Sequence, residues 1–300
     1  MAAVLRALVL VAVAVAVWRL VATDRASIWT TIVQVGLGRL VLSGLMALIA
    51  TWASWRCWYS VAAALQADLE SQVARRLFFV SQLGKYVPGA VWPMLLQAQA
   101  ARAHGWRRAG LGAAYLLTLA ISVLTGAVVA ALTLGMANPQ VLSRYWWVLI
   151  AIPLMLVLLS PSLLPALISR VLGASGRPPL AEKLTWGASR RASLWALLMW
   201  VALGAHIAIL ALPISSWSQE VVLQSIGGMA LAFVAGLVAV VAPAGVGVRD
   251  LILGVTVGAV TTPVIGLAVA LVSRVALLLC DVGLAAAVAF RLPRPSAPES

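Results

Sequence analysis

Long apolar stretches alternate with short polar segments along the chain. They cover residues 3–22, 28–55, 111–136, 145–168, 192–212 and 263–290. A helix needs about 20 apolar residues to cross a hydrocarbon core roughly 30 Å thick. The pattern therefore predicts an all-α polytopic membrane protein with about six full transmembrane helices. Three prolines within 145–168 predict that this span is kinked.

Two segments interrupt the apolar pattern with proline, glycine and charge. The first, Lys-Tyr-Val-Pro-Gly-Ala-Val-Trp at 85–92, contains Pro88 and Gly89. The second, at 242–250, contains Pro243, Gly245 and Gly247 before Arg249 and Asp250. Irregular backbone at membrane depth is tolerated only where it is buried in protein or lines a polar cavity. We therefore expect two re-entrant helical hairpins, one turning at each segment.

The flanks of these segments support that interpretation. Residues 61–82 are too polar to span, and residues 91–100 lead back from the first turn. In the second segment the apolar stretch 221–241 leads in and 251–260 leads out. About ten residues cannot cross a bilayer as a helix, so this pair is also interpreted as re-entrant.

Composition places the chain in the membrane class. Hydrophobic residues make up 63% of it, charged residues only 10%, and the mean hydropathy is +1.06. A soluble domain of 31.4 kDa cannot bury that much apolar surface. The net charge of +13 would suggest a nucleic-acid partner in a soluble protein. Here most Lys and Arg residues lie in loops beside the spans, so they indicate topology and no nucleic-acid binding is expected.

The loop cations predict the orientation. With both termini in the cytoplasm of a cell-membrane protein, thirteen loop cations lie inside, and only Arg19, Arg25 and Arg144 lie outside. The halves 1–140 and 141–291 then have opposite orientations, which makes an inverted-topology repeat within one transmembrane domain, 1–291. Many secondary transporters have this organisation and bind substrate where the repeats meet. Residues 292–300 form a Pro- and Ser-rich tail, expected to be disordered and cytoplasmic.

Six charged residues fall within apolar or re-entrant stretches. They are Arg39, Lys85, Arg249, Asp250, Arg274 and Asp281. Each costs about 2.5 to 3.5 kcal/mol at the bilayer centre on insertion scales, so they should face one another or a wet cavity. Four cations against two anions favour an anionic guest such as a phosphate headgroup. These six, with Pro88, Gly89, Pro243, Gly245 and Gly247, are the predicted substrate-binding residues.

Structural explanations of the same charges stay open. Arg249 and Asp250 are adjacent and could form a local ion pair. Arg39 could extend to the membrane surface or pair with Asp281. Arg274 and Asp281 are seven residues apart, two turns along one helix face, so both could point at the second Pro-Gly segment.

Little in the sequence suggests catalysis. There are two cysteines without paired spacing, two histidines, and eight acidic residues spread over the chain. Neither a metal-ligand cluster nor a nucleophile with a neighbouring base can be assembled from them by spacing. We expect no cofactor, no metal and no enzymatic activity.

The two Pro-Gly segments resemble those of a known family. It is the membrane region of lysylphosphatidylglycerol synthases together with their stand-alone flippase-like relatives. The likeness rests on Leu-Gly-Lys-Tyr-Val-Pro-Gly-Ala-Val-Trp at 83–92, on Ala101, Arg102 and Gly105, and on Pro-Ala-Gly-Val-Gly-Val-Arg-Asp at 243–250. It implies a phospholipid flippase or translocase domain whose two re-entrant elements meet in the membrane.

The chain also departs from that family. No soluble aminoacyl-transferase domain follows residue 290, so the resemblance is not expected to carry synthase activity. Asp250 stands where relatives often have Glu, and Ala244 where many have Gly. These differences leave the lipid open, since stand-alone relatives also handle other lipids such as polyprenyl-phosphate carriers.

Two hypotheses of different classes follow. The first is a lipid translocator that moves an anionic or modified phospholipid, or a lipid-linked phosphate carrier, between leaflets. The second is a non-transporting scaffold or regulator of a cell-envelope glycosyltransferase or synthase. The basic loop 170–191 would bind an acidic partner or anionic lipid in that case. Association with copies of itself or with an envelope enzyme is left open by the sequence.

Overall fold

The computed structural model describes residues 25–66, 69–86, 92–103, 106, 108–144, 146, 148–174, 184–212, 218–238 and 248–289. These residues form helices and no strand. The α-helices are α1 (Arg25–Val35), α2 (Leu37–Leu65), α3 (Ser71–Gln82), α4 (Trp92–Ala103), α5 (Arg108–Ala137), α6 (Pro139–Arg144), α7 (Val148–Leu158), α8 (Leu163–Ala174), α9 (Trp186–Ala211), α10 (Gln219–Val238), α11 (Val248–Gly258) and α12 (Pro263–Ala289). A short 3-10 turn, Leu83–Tyr86, follows α3 directly.

Within the described part of the chain, five helices are long and apolar enough to cross a membrane. They are α2, α5, α9, α10 and α12, and the bent pair α7 and α8 raises the number to six if it is one span. The all-α polytopic class and the spans near 28–55, 111–136, 192–212 and 263–290 are thereby confirmed. The predicted span 3–22, the proposed turn residues Pro88, Gly89, Pro243, Gly245 and Gly247, and the tail 292–300 lie outside the described residues.

The predicted second span is divided near its start. Gly36 separates α1 from α2 and has φ +76°, a left-handed conformation that glycine adopts without steric cost. After this break α2 continues to Leu65, ten residues past the predicted end at 55. Aromatic residues cluster at 52–59, around the predicted end, and two of them, Trp55 and Trp58, are buried by tertiary packing.

The proline-rich fourth span is bent more sharply than a kink. Helices α7 and α8 meet at 83° across a break of four residues or fewer. Pro161 lies in the break, and Pro165 lies in the first turn of α8, where its missing N–H costs no helical hydrogen bond. The expectation of a proline-induced distortion in 145–168 is therefore confirmed.

Helices α2 and α9 pack along each other at the centre of the molecule. Their facing surfaces are built from small residues, with Ala47, Ala50 and Ala53 on α2 and Ala192 and Ala196 on α9 fully buried. Between membrane helices, small side chains permit close backbone approach and hence dense van der Waals packing. In the same part of α2, the larger side chains of Leu45 and Leu48 lie on the exposed surface.

The two halves of the chain repeat one packing pattern. Helix α5 packs against α2, α9 and α10, and α12 packs against α9, α2 and α3. The short helix α4 packs on α5, as the short helix α11 packs on α12. Exchanging α2 with α9, α3 with α10, α4 with α11 and α5 with α12 converts each set of contacts into the other. This correspondence is what an internal repeat of about 1–140 and 141–291 requires; the opposite orientation of the halves stays a prediction.

The first hairpin consists of α3, the 3-10 turn and α4. Buried side chains attach it to α2: Trp58 Nε1 donates to Gln97 Oε1 (3.2 Å), and Gln97 Nε2 donates to Ser81 Oγ (3.1 Å). The two arms come close at Gly84, where an added Cβ would lie 3.0 Å from the Pro93 nitrogen. Both arms have 12 residues or fewer, too short to span, as the sequence predicted.

The second hairpin consists of α10 and α11, which differ in length. Helix α11 has 11 residues and is too short to cross. Helix α10 has 20 residues, and its apolar part passes the length and hydropathy requirements of a span. Helix α10 is thus long enough to span by itself, which differs from a short re-entrant arm; the re-entrant course of the pair stays a prediction.

Candidate functional site: a buried charged cluster on α12

Helix α12 contributes one cation and one anion to the interior. Arg274 and Asp281 lie two turns apart on it, and the side chain of Asp281 is only 2% exposed. A carboxylate this deeply buried needs a partner, since isolated burial of a charge is very unfavourable. Each of the two α12 residues pairs with a residue from a different hairpin.

Asp281 binds the end of the first hairpin. Lys85 Nζ lies 2.7 Å from Asp281 Oδ2, and the Tyr86 hydroxyl donates a hydrogen bond to the same oxygen (2.5 Å). Both residues belong to the last turn of the helical segment that begins with α3, where a cation is favoured by the helix dipole. One carboxylate oxygen thus anchors the tip of this hairpin to α12.

Asp250 binds the other α12 charge. Arg274 Nε donates to Asp250 Oδ1 (3.2 Å), and Arg274 Nη2 lies 3.0 Å from Oδ2. This second contact is an ion pair by distance without hydrogen-bond geometry, so Nη2 has no hydrogen-bond acceptor among the described residues. Asp250 lies in the first turn of α11, where a negative charge is stabilised by the free N–H groups of the helix start.

Arg249 is the third cation and is half-buried at the start of α11. Its Nη2 lies 3.7 Å from the sulfur of Met229, a weak acceptor. No salt bridge links Arg249 to another residue of the described ranges. It still interacts electrostatically with Asp250, Asp281, Tyr86 and Arg274, so the two ion pairs and Arg249 form one electrostatic unit. We call Lys85, Arg249, Asp250, Arg274 and Asp281 the charged cluster.

The charged cluster joins five of the six charged residues singled out from the sequence. The sixth, Arg39, is exposed in the first turn of α2 and forms no ion pair with any described residue. Its suggested pairing with Asp281 is wrong, because Asp281 is occupied by Lys85 and Tyr86. Of the six residues, three cations and two anions therefore lie in the interior, instead of the four cations and two anions expected.

Two other pairings differ from the sequence-based alternatives. Asp250 pairs with Arg274 across two helices, and no salt bridge joins it to its neighbour Arg249. Arg274 does point at the second hairpin as expected, but Asp281 points at the first. Sequence spacing showed that the two α12 residues share a face; it did not show that two hairpins reach that face.

His206, for which the sequence indicates no role, is fully buried on α9 beside the charged cluster. Its Nδ1 lies 3.0 Å from the Ser43 carbonyl oxygen on α2, and its Nε2 lies 2.9 Å from the Ser273 hydroxyl on α12. Nδ1 also lies 2.6 Å from the Ser43 hydroxyl oxygen, so two serines, one on α2 and one on α12, hold the ring. His206 also interacts electrostatically with Arg249. A polar residue in the apolar run of α9 was the available signal.

Tyr86 was part of the first Pro-Gly segment but was not recognised as a site residue. Its hydroxyl interacts with Asp281 directly and with Arg249 and Arg274 electrostatically. A single aromatic residue beside a lysine gives no spacing pattern by which this role could be found.

Comparison with protein-family models, curated proteins and solved structures gave no match. The fold and the site therefore define a class only. The chain is a helical membrane protein with several membrane-spanning helices and a charged cluster within its helical bundle.

Proposed function

We propose that the protein is a lipid translocator that binds the anionic headgroup of a phospholipid, or of a lipid-linked phosphate carrier, at the charged cluster. The observation that carries this proposal is the surplus cation. Arg249 has no salt bridge within the described residues, while the two carboxylates of the cluster are held by Lys85 and Arg274. A guest anion would complete the charge balance.

Guanidinium groups suit this task. Arginine binds phosphate oxygens with two parallel N–H donors, and a half-buried site strengthens such charge-assisted bonds. Arg249 is half-buried, and Arg274 Nη2 has protons without an acceptor among the described residues. Lys85 is 39% exposed, so a headgroup can reach the cluster from the side of the first hairpin.

The surrounding helices support a path across the membrane. Short helices that end inside a membrane domain typically border ion and substrate sites of transporters. Here the 3-10 turn and the start of α11 each bring charged residues to α12. Interior charges lower the cost of moving a headgroup through the apolar layer, while the acyl chains remain in lipid.

The resemblance to the flippase-like membrane regions supports the same proposal, because its two segments contain Lys85, Tyr86, Arg249 and Asp250. We also propose the orientation derived from the loop cations, with both termini in the cytoplasm of a cell membrane. The absence of enzymatic activity remains part of this proposal.

Reconstitution into liposomes tests the translocation. Vesicles that contain acyl-labelled fluorescent phosphate lipids in both leaflets are treated with an impermeant quencher, and the rate at which inner-leaflet label becomes accessible is measured. We expect faster loss with the protein than in empty vesicles, and a strong decrease for Arg249→Ala. Equal rates with and without protein, for every phosphate lipid tried, would refute the proposal.

The scaffold alternative makes the opposite prediction for two sets of variants. Neutralising the five cations of the predicted loop 170–191, of which Arg170 is in α8 and Arg190 and Arg191 are in α9, would abolish capture of an envelope-enzyme partner, while Arg249→Ala would leave it intact. If the protein is a translocator, Arg249→Ala should lose transport, and the variant with the neutralised loop cations should retain it.

A further inference from the structure

The charged cluster has a defined net charge. Lys85, Arg249 and Arg274 are positive, and Asp250 and Asp281 are negative because each carboxylate contacts a cation at 3.0 Å or less. The sum is one positive charge.

Neighbouring groups leave this sum unchanged. The Tyr86 hydroxyl donates a hydrogen bond to Asp281 and keeps its proton, so the phenol is neutral. His206 is fully buried, contacts hydroxyl and carbonyl groups of Ser43 and Ser273, and has no carboxylate among its described partners, so burial favours the neutral ring. The adjacent sequence stretches 87–91 and 239–247 contain no ionisable side chain.

From this count we infer that the cluster selects headgroups with one negative charge, that is phosphodiesters, over phosphomonoesters with two. The inference rests on the proposed translocation function and narrows its substrate class. In a water-poor interior an unbalanced unit charge of either sign is unfavourable, so a monoanion matches the cluster and a dianion leaves an excess negative charge.

Charge variants test the count directly. Asp281→Asn and Asp250→Asn each raise the net charge to two while keeping the side-chain shape. The double variant Lys85→Met/Asp281→Asn removes a whole pair and returns the net charge to one. It is the matched control, because it contains the same Asp281 substitution.

The measurement is the ratio of two flipping rates in the same vesicles, for acyl-labelled phosphatidylglycerol and acyl-labelled phosphatidic acid. The pH is set at about 8, where a phosphomonoester with a second pKa of about 6 carries two charges. We expect the unmodified protein to favour phosphatidylglycerol by about tenfold, and Asp281→Asn to shift the ratio about tenfold toward phosphatidic acid. The double variant should return to the original ratio, whatever its absolute rate.

The outcomes separate this inference from the proposed function. Flipping of both lipids at equal rates, or a ratio unchanged in both Asp→Asn variants, overturns the charge-selection inference and leaves translocation standing. A double variant that keeps the shifted ratio of Asp281→Asn also overturns it. If neither lipid is moved by the unmodified protein, the translocation proposal fails and the inference fails with it. If Asp281→Asn does not fold, Asp250→Asn provides the same charge change from the other pair.

Discussion

Lys85 Nζ and Asp281 Oδ2 lie 2.7 Å apart, although the two residues belong to opposite halves of the sequence. The lysine is 39% exposed at the tip of the first hairpin, and the aspartate is 2% exposed on α12. The pair therefore joins a long, partly exposed lysine side chain to a buried carboxylate. Its two members should respond unequally to substitution.

Lys85→Met should destabilise the protein more than Asp281→Asn. The first variant leaves a buried carboxylate with Tyr86 as its remaining partner among the described contacts, and we expect a loss of about 2 to 3 kcal/mol. This is less than the roughly 3 to 5 kcal/mol of fully buried pairs, because Lys85 is partly exposed. The second variant leaves a lysine that can reach solvent, at about 1 kcal/mol. Unfolding in detergent, followed by tryptophan fluorescence, measures both.

The double variant Lys85→Met/Asp281→Asn provides the control for this pair. We expect it to be more stable than the sum of the single losses implies, by about 1 kcal/mol of coupling. Additive losses would contradict a direct interaction between the two side chains.

Lys85→Ala and Arg249→Ala should have non-additive effects on the flipping rate. Lys85 contacts Asp281, and Arg249 interacts with the same carboxylate, so both cations share one electrostatic partner. Residues that share a partner show coupling of about 0.5 to 3 kcal/mol in double-mutant cycles. The rates of both single variants and the double variant are compared at matched protein content. Multiplying losses would mean that the two cations act at separate places.

Gly266→Ala should separate α11 from α12. A Cβ at position 266 would lie 2.2 Å from the Gly254 carbonyl oxygen and 2.6 Å from the Gly258 nitrogen, and backbone atoms cannot rotate away. We expect a loss of about 1 to 3 kcal/mol, together with reduced transport because Asp250 on α11 is displaced from Arg274. Thermal unfolding and flipping rate are the two measurements.

Gly283→Ala is the matched control on the same helix. Nothing lies within 4 Å of a Cβ built there. Alanine is a better helix former than glycine by up to about 1 kcal/mol, so this variant should be neutral or stabilising. Equal losses in the two glycine variants would show that close packing at position 266 is not the cause.

His206→Ala should destabilise the junction of α2, α9 and α12. It removes the partner of the Ser273 hydroxyl and the ring contacts with Ser43, and it leaves a cavity where the ring was; an unsatisfied buried group alone costs about 1 to 3 kcal/mol. We expect a total loss of about 2 to 4 kcal/mol in chemical or thermal unfolding. Ser60→Ala is the comparison, since that hydroxyl bonds only to the Arg56 carbonyl of its own helix and should change stability little. Equal effects would exclude His206 as a structural connector.

The apolar pattern along the chain is enough to identify most of the helices of membrane length and the places where the pattern breaks. Apolar length is a local property, so the spans at 111–136 and 263–290 agree with α5 and α12 to within a few residues. The same local signal identified five of the interior charges, because a charge in an apolar run is conspicuous wherever it packs. It did not single out α10 as long enough to span, because the interpretation of that pair rested on the short partner α11.

The pairing of the charges, by contrast, depends on which helices come into contact in the folded protein. Asp281 needs a cationic partner, and the sequence alone gives no reason to choose Lys85 over Arg39. The close packing of α12 against α3 brings Lys85 to it, while Arg39 stays on the exposed surface of α2. Pairing in the interior is set by which helices touch, and that depends on small-residue contacts summed over the whole bundle, which no local pattern records.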